Sequence, residues 1–382
     1  MKKVVVLGSG LVGSLIARDL AADGSLSVLA VDRSAQALAP LSGVANLATR
    51  VADLSSAAEV AAAVEGADVA VGAVPGFLGT ATLRVLIEKR VPVADISFSP
   101  EDPFDLDAPA KAAGIPVVVD CGVSPGLSNL AAGRAAAELD PIESLRIFVG
   151  GLPVPRFWPY EYRSVFSPTD VVEEYTRPAR VVENGRVVTH PALSEVEKID
   201  FPGVGTLEAF LTDGLRTVIR TIPAPTMREK TLRYPGHAVL MRALRETGFF
   251  GGEPVEAGGV KVVPRALTEK LLFEKWRRPE DEEEFTLLVV VCEGIHAGKR
   301  TRITTRLLDR TDASTGATSM ARTTGFPCAI AVRMILDGTI ATPGVLPLEL
   351  LGRDHAVYDR FRMELALRGV QMSEAHREVF PG

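Results

Sequence analysis

Short, nearly unbroken apolar runs alternate with helix-period segments through the first third of the chain. Lys3–Leu7 and Ser27–Val31 are rich in valine and leucine, and Asp68–Val74, Val91–Ile96 and Ile115–Val119 repeat the pattern. Between them Leu15–Ala22, Ala57–Val64, about Thr80–Lys89 and Pro109–Ala113 place apolar residues at helical spacing. Strands that are apolar at successive positions have both faces covered, and helices must do the covering. The pattern therefore predicts an α/β fold, a doubly wound parallel sheet.

The grammar changes after Gly122. Ala179–Val188, ARVVENGRVV, has two valine-rich arms around Asn184-Gly185, a pair that accepts positive φ at both centres of a tight turn and so predicts a hairpin. Phe285–Glu293 and Arg300–Leu308 form another predicted strand pair, and Ser319–Leu336 returns to helical character. The charge run Arg277–Glu284, RRPEDEEE, reads as a solvated loop. Antiparallel sheet with a few helices is expected for this middle region.

A chain of 382 residues exceeds one ordinary core and suits two domains. With 47% hydrophobic and 24% charged residues it is of ordinary globular composition. A formal net charge of −6 does not suit a binder of phosphate backbones, so no nucleic-acid partner is expected. Cys121, Cys292 and Cys328 are scattered, with no C-x-x-C pair. That argues against a disulfide scaffold and a structural zinc site, and a cytoplasmic location is expected. Met1-Lys2-Lys3 and the apolar stretch to Ala17 contain three glycines and run into Arg18-Asp19, so they read as structure rather than a leader. No apolar run reaches the ~18 residues of a membrane span.

The sharpest local signal is GSGLVG, Gly8-Ser9-Gly10-Leu11-Val12-Gly13, between a predicted strand and a predicted helix. In a dinucleotide site of Rossmann type the first glycine makes the turn, the second admits the pyrophosphate and the third lets helix and strand pack. Asp32 lies 19 positions after Gly13, at the end of the second strand, where a carboxylate accepts from a ribose diol and repels a 2′-phosphate. NAD is the expected cofactor; Arg33, which can pair with that phosphate, keeps NADP possible. Asp53 and Leu54 follow the third strand, on the adenine side, and Ala73-Val74-Pro75 end the fourth in a compact turn.

Asp120–Asn129, DCGVSPGLSN, ends a strand in a small polar turn before a helix. Ser124 could cap that helix with Pro125 at its first position, or Ser124 and Asn129 could meet substrate while Cys121-Gly122 lie against a nicotinamide. A nucleophilic Cys121 lacks any local signature. Asp95, in ADIS at the end of the fifth strand, is a candidate general base or a turn carboxylate for Ser97. TLRYPGH sets Arg233, Tyr234 and His237 within five residues: a carboxylate clamp, a phenol and an imidazole base, or a surface arginine and a capping histidine. Arg322 and Thr323 in MARTTGFP pose the same choice.

Together with GGLPVP at Gly150–Pro155, these segments resemble the saccharopine dehydrogenase-type reductases, and within them the lysine 6-dehydrogenase branch. The resemblance implies a Rossmann domain, residues 1–123 plus about 326–382, and an inserted α+β domain, residues 124–325, for substrate binding and homodimer contact. It implies NAD-dependent oxidation of the ε-amine of L-lysine to a semialdehyde that cyclises, with His237 or Asp95 as base and Arg233 or Arg322 on the α-carboxylate. In saccharopine-cleaving relatives an acidic residue commonly precedes the proline-glycine pair; here that place is Ser124. Saccharopine or a related carboxylated secondary amine is the alternative substrate, and a non-catalytic dinucleotide sensor the alternative class.

Overall fold

The computed structural model describes residues 1–165, 168–279 and 281–378. The chain forms two compact units: Met1–Glu138 with Arg220–Ile222 and Ala321–Met372, and Leu139–Ile219 with Pro223–Met320 and Ser373–Gly382.

The first unit opens as strand, helix, strand: β1 (Lys2–Leu7), α1 (Leu11–Ala21), β2 (Leu26–Asp32) and α2 (Ala35–Leu38). It continues with β3 (Leu47–Val51), α3 (Ala57–Ala63), β4 (Val69–Gly72), α4 (Gly76–Glu88) and β5 (Val93–Asp95). Then come α5 (Asp107–Ala113), β6 (Pro116–Val119) and α6 (Leu127–Glu138). The second unit follows with β7 (Ile142–Pro153), α7 (Pro168–Thr176), the hairpin β8 (Ala179–Glu183) and β9 (Arg186–His190), β10 (Glu197–Phe201) and β11 (Gly205–Leu211). Next are α8 (Val218–Thr221), β12 (Thr226–Arg233), α9 (His237–Thr247), a small hairpin β13 (Val255–Ala257) and β14 (Val260–Val262), and α10 (Pro264–Trp276). Two long strands, β15 (Glu284–His296) and β16 (Lys299–Arg310), precede α11 (Ser319–Leu336), β17 (Gly344–Pro347), α12 (Leu348–Leu351), α13 (His355–Leu367) and β18 (Met372–Glu378).

The seven strands of the first unit run in the order β17-β6-β5-β4-β1-β2-β3, and every pairing is parallel. Val4–Leu7, Val69–Val71 and Val93–Ala94 are inaccessible, as unbroken apolar strands require. The order reverses beside β1, with β2 on one flank and β4 on the other, which opens a crevice beyond their carboxyl ends. The expected doubly wound sheet is thus present.

The second unit is a mixed sheet in the order β10-β11-β12-β7-β15-β16-β18, with β8 and β9 joined through β12. Asn184 (φ 50°) and Gly185 (φ 76°) both take positive φ in the β8–β9 turn, the conformation that Asn-Gly predicts. Its core gathers Trp276, Tyr175, Tyr162, Phe210 and Leu287. Three features differ from the sequence reading. The first unit runs on to Glu138 because α6 packs beside α12. The last strand, β18, leaves the first unit and pairs with β16; residues 379–382 of the expected C-terminal segment lie outside the described residues. The charge run 277–284 is a loop with Arg277, Pro279, Asp281 and Glu283 exposed, as expected, but its end is not in solvent: Glu282 is buried, and Glu284 begins β15 and is fully buried, while Glu280 is outside the described residues. Among the described residues no helix is long and apolar enough to cross a membrane.

Candidate functional site

The crevice of the first unit is built by the turn between β1 and α1. Gly8 has φ +104°, and a Cβ there would stand 2.2 Å from the Ala73 carbonyl oxygen. A Cβ on Gly13 would stand 2.1 Å from the Gly8 carbonyl, so both glycines permit close backbone approach. Gly10 is different: its Cβ would point into open space. It is also the N-cap of α1 and contributes no capping side chain, which leaves the first-turn amides for an anion. Beside them the Asp32 carboxylate accepts from the Ser9 amide (Oδ2, 2.8 Å) and the Ser34 amide (Oδ1, 2.8 Å). These bonds use two of its roughly four acceptor positions. The Ser9 hydroxyl is buried with no partner among the described residues.

The register brings Asp32 level with Val51 and Leu7 level with Gly72, so the loops after β1 to β4 share one rim. Leu11 is exposed on that rim and Val12 half-buried. Asp53 is exposed, and its carboxylate is held by the Ser55 amide (3.0 Å) and hydroxyl (2.7 Å). Those bonds, with the Arg33 guanidinium nearby, keep Asp53 below the usual carboxylate range. Leu54 packs on the sheet core, Val74 is buried, and Pro75 caps α4. An orphaned hydroxyl, uncapped amides, open space at Gly10 and a carboxylate at the tip of β2 make a donor and acceptor set that fits a dinucleotide.

Farther along the same sheet edge, Asp95 is buried and turned onto its own strand end. Its carboxylate accepts from the Ser97 hydroxyl (2.9 Å) and amide (3.1 Å), and its Oδ1 lies where a Cβ on Gly72 would be, at 1.9 Å. The Cys121 amide donates to the Asp95 carbonyl at 2.8 Å, and Cys121 itself is fully buried. Gly122 and Gly126 close a tight turn in which the Ser124 hydroxyl is buried without a partner among the described residues. Asn129 holds that turn: its Oδ1 accepts from the Gly126 amide (3.2 Å) and Ser128 hydroxyl (2.9 Å), while its Nδ2 donates to Glu349 (3.1 Å). On α11, Arg322 donates to the Arg368 carbonyl at 3.1 Å, near the carboxyl end of α13, and Thr323 is fully buried.

In the second unit, TLRYPGH forms part of the core. Arg233 pairs with Glu174 (2.5 Å), donates to the Leu232 carbonyl (2.9 Å) and lies 4.5 Å over the Tyr162 ring. The Tyr234 hydroxyl donates to the Pro153 carbonyl at 2.8 Å. Both nitrogens of His237 are engaged: Nδ1 donates to the Tyr160 carbonyl (2.9 Å), and Nε2 is left to accept from the Tyr175 hydroxyl (2.9 Å). Burial, with the Arg233 charge, brings His237 down to about 3. A neutral ring bonded at both nitrogens is a poor proton acceptor at pH 7. Nothing local in the motif signals this fate, because an arginine and a histidine look alike in a site and in a core until their partners are known.

The second unit also buries Glu229, which accepts from the Thr212 hydroxyl (2.6 Å) and Gly214 amide (3.1 Å). Burial, aided by the Glu174 and Asp213 charges, pushes it up to about 8. A carboxyl raised on folding stabilises below its ordinary value, and that stability is lost as pH rises through 8. Glu229→Gln keeps an acceptor for Thr212, so it should match wild type in Tm at pH 4, below the ordinary carboxyl value, and exceed it at pH 9. Thermal unfolding at both values checks this; an equal difference at each would refute it.

Two family models cover most of the chain: the saccharopine dehydrogenase NADP binding domain matches residues 4–118, and the saccharopine dehydrogenase C-terminal domain matches residues 122–370. The chain is 26% identical to saccharopine dehydrogenase [NADP(+), L-glutamate-forming] of Pyricularia oryzae, over 90% of this chain and 93% of that protein. It is 28% identical to mitochondrial alpha-aminoadipic semialdehyde synthase of Mus musculus, over 67% of this chain but only 29% of that longer protein. Carboxyaminopropylagmatine dehydrogenase of Synechocystis is 22% identical over 100% of this chain and 99% of its own length. The fold is that of apo saccharopine dehydrogenase (L-Glu forming) from Saccharomyces cerevisiae, with a TM-score of 0.80 at 22% identity over 99% of this chain and 100% of that one. With both family domains matched in order, the chain belongs to the saccharopine dehydrogenase family of NAD(P)-dependent oxidoreductases.

Proposed function

We propose that the chain is an amine dehydrogenase that prefers NAD and oxidises the ε-carbon of L-lysine. The observation that carries the choice of substrate is Ser124: a neutral residue, its hydroxyl buried and unpartnered, stands where saccharopine-cleaving relatives commonly have an acid. Saccharopine also carries more carboxylate than lysine and calls for more cationic contacts. Arg233 is already neutralised by Glu174, which leaves Arg322 as the cation considered for the substrate's single carboxylate.

A bound nicotinamide dinucleotide supplies the hydride acceptor. The Asp32 carboxylate, fixed by two amides, would accept from a ribose diol and disfavour a 2′-phosphate. The substrate's ammonium must lose a proton before its carbon can release hydride, because a cationic nitrogen has no lone pair to form a carbon–nitrogen double bond. The chain must therefore offer a proton acceptor matched to neutral pH. His237, at about 3, is not matched to that task, and Asp95 is engaged by Ser97.

Steady-state assays with lysine and saccharopine, each with NAD and NADP, test this reading. Lysine turnover favouring NAD is expected. In Asp32→Ser the preference for NAD over NADP should fall about tenfold or more, the worth of a charge-assisted hydrogen bond. Fast turnover of saccharopine with none of lysine would give the activity to the alternative substrate.

A further inference from the structure

On the β15 face that carries Glu284, two buried side-chain oxygens have no hydrogen-bond partner among the described residues: Glu284 Oε2 and Thr286 Oγ1. Both residues are completely inaccessible. They are two positions apart on one strand, so their side chains share a face with about 7 Å between backbones. Buried polar atoms are normally bonded, and an orphan carboxylate oxygen demands an explanation. The facing positions on β7 offer none: Thr286 lies opposite Gly151, which has no side chain, and Glu284 opposite Pro153, which has no N–H. Met320 and Val165 fill the space next to Gly151, so the wall there is apolar. Across the other edge, Asp309 pairs with Thr286 and adds a second buried carboxylate.

We propose that Glu284 and Thr286 form a binding site in the second unit for the substrate's protonated amine, with Glu284 as the acceptor of its proton. The inference rests on the amine dehydrogenase reading above. A primary ammonium is the complementary chemistry: three donors and one positive charge for two unpartnered oxygens, one of them on a carboxyl with Asp309 beside it. The second Glu284 oxygen is not available to it, since Oε1 accepts from the Met320 amide at 2.8 Å. Burial pushes Glu284 up to about 7; the Met320 amide, the Arg278 charge and the Thr318 hydroxyl oppose that rise, and Asp309 adds to it. Tyr162 also feels the Glu284 charge, and its own pKa is raised, so it stays a neutral phenol. A carboxyl with half-titration at neutrality is suited to proton transfer. The step balances as a carboxylate and an alkylammonium giving a carboxylic acid and a free amine, whose nitrogen lone pair is then available. Burial lowers an ammonium pKa while it raises that of a carboxyl, so desolvation narrows the gap between the two.

The test titrates L-lysine calorimetrically into the full chain without dinucleotide, in buffers of different ionisation heat, for wild type, Glu284→Gln and Thr286→Val. Wild type should exchange a proton on binding near pH 7. Glu284→Gln should bind about tenfold more weakly or worse and lose that exchange, and the isosteric Thr286→Val should lose about three- to fivefold. Assays of the same variants should show kcat falling by about a hundredfold or more in Glu284→Gln, with the acid limb of its pH profile gone. A Glu284→Gln that binds lysine as wild type does, with only a lower Tm, makes the residue a structural partner of Met320 and overturns the site; so does a wild type that takes up no lysine. If Glu284→Gln does not fold, Thr286→Val at wild-type affinity is enough to overturn it. Wild-type turnover of lysine that survives Glu284→Gln removes the site and leaves the reaction; lysine binding that depends on Glu284 without turnover of lysine or saccharopine removes the reaction and leaves the site.

Discussion

Gly10→Ala should abolish tight dinucleotide binding without disturbing the fold. The new methyl group meets nothing within 4 Å, and the backbone at φ −69° suits alanine, so thermal unfolding should be unchanged. It would occupy the space a pyrophosphate needs in order to reach the α1 amides. Losing one or two charge-assisted bonds corresponds to about ten- to a hundredfold in affinity. Gly8→Ala is the contrasting case. Its methyl group would fall 2.2 Å from a backbone oxygen, at a φ that L-residues rarely adopt, so the turn itself must break and stability should fall with affinity. Titration of NADH fluorescence beside thermal unfolding separates the two effects. Wild-type affinity in Gly10→Ala would move the dinucleotide away from this turn.

Arg233→Met should collapse the second unit. The guanidinium is buried between Glu174 and the Tyr162 ring, and its removal leaves the carboxylate uncompensated. Breaking a buried pair on one side costs about 3–5 kcal/mol, whereas removing a surface arginine costs little. His237 should be disturbed as well, because the Tyr175 hydroxyl that reaches it at 2.9 Å is also approached by Arg233 Nε at 3.4 Å. Combining Arg233→Met with Glu174→Leu should recover a large part of the loss, since an apolar pair of similar volume can replace a buried ion pair. A single variant with unchanged Tm and a raised KM for the amine would return Arg233 to the substrate's carboxylate.

These two arginine and glycine cases mark the limits of reading chemistry from residue type. Gly8, Gly10, Gly13 and Asp32 were legible because their meaning is local: a strand, a turn of restricted φ, a helix N-terminus and a second strand end lie within the span of one βαβ unit. The Asn184-Gly185 hairpin was legible for the same reason. Arg233 and His237 were not, because whether such a group serves a substrate or a core depends on Glu174, Tyr175 and Tyr160, which arrive from elsewhere in the chain. Asn129 looked like a substrate contact and holds its own turn against Glu349, 220 residues away. Glu284 was hidden in a charge run, and only pairing with β7 and β16 takes it out of water.

The amino-acid order alone determined the first unit's parallel sheet, the crevice-forming turn, the acidic residue at the tip of β2 and the antiparallel pairs β8–β9 and β15–β16, but not the parallel pairing of β7 with β12, since periodicity and backbone φ preference act over a few residues. The tertiary structure decided which charged groups were neutralised inside and which retained an open bonding position, and it sent β18 to the second sheet. Burial and ion-pair partnership depend on distances between segments remote in sequence, and the energy of a charge is set by those distances and by the water it loses.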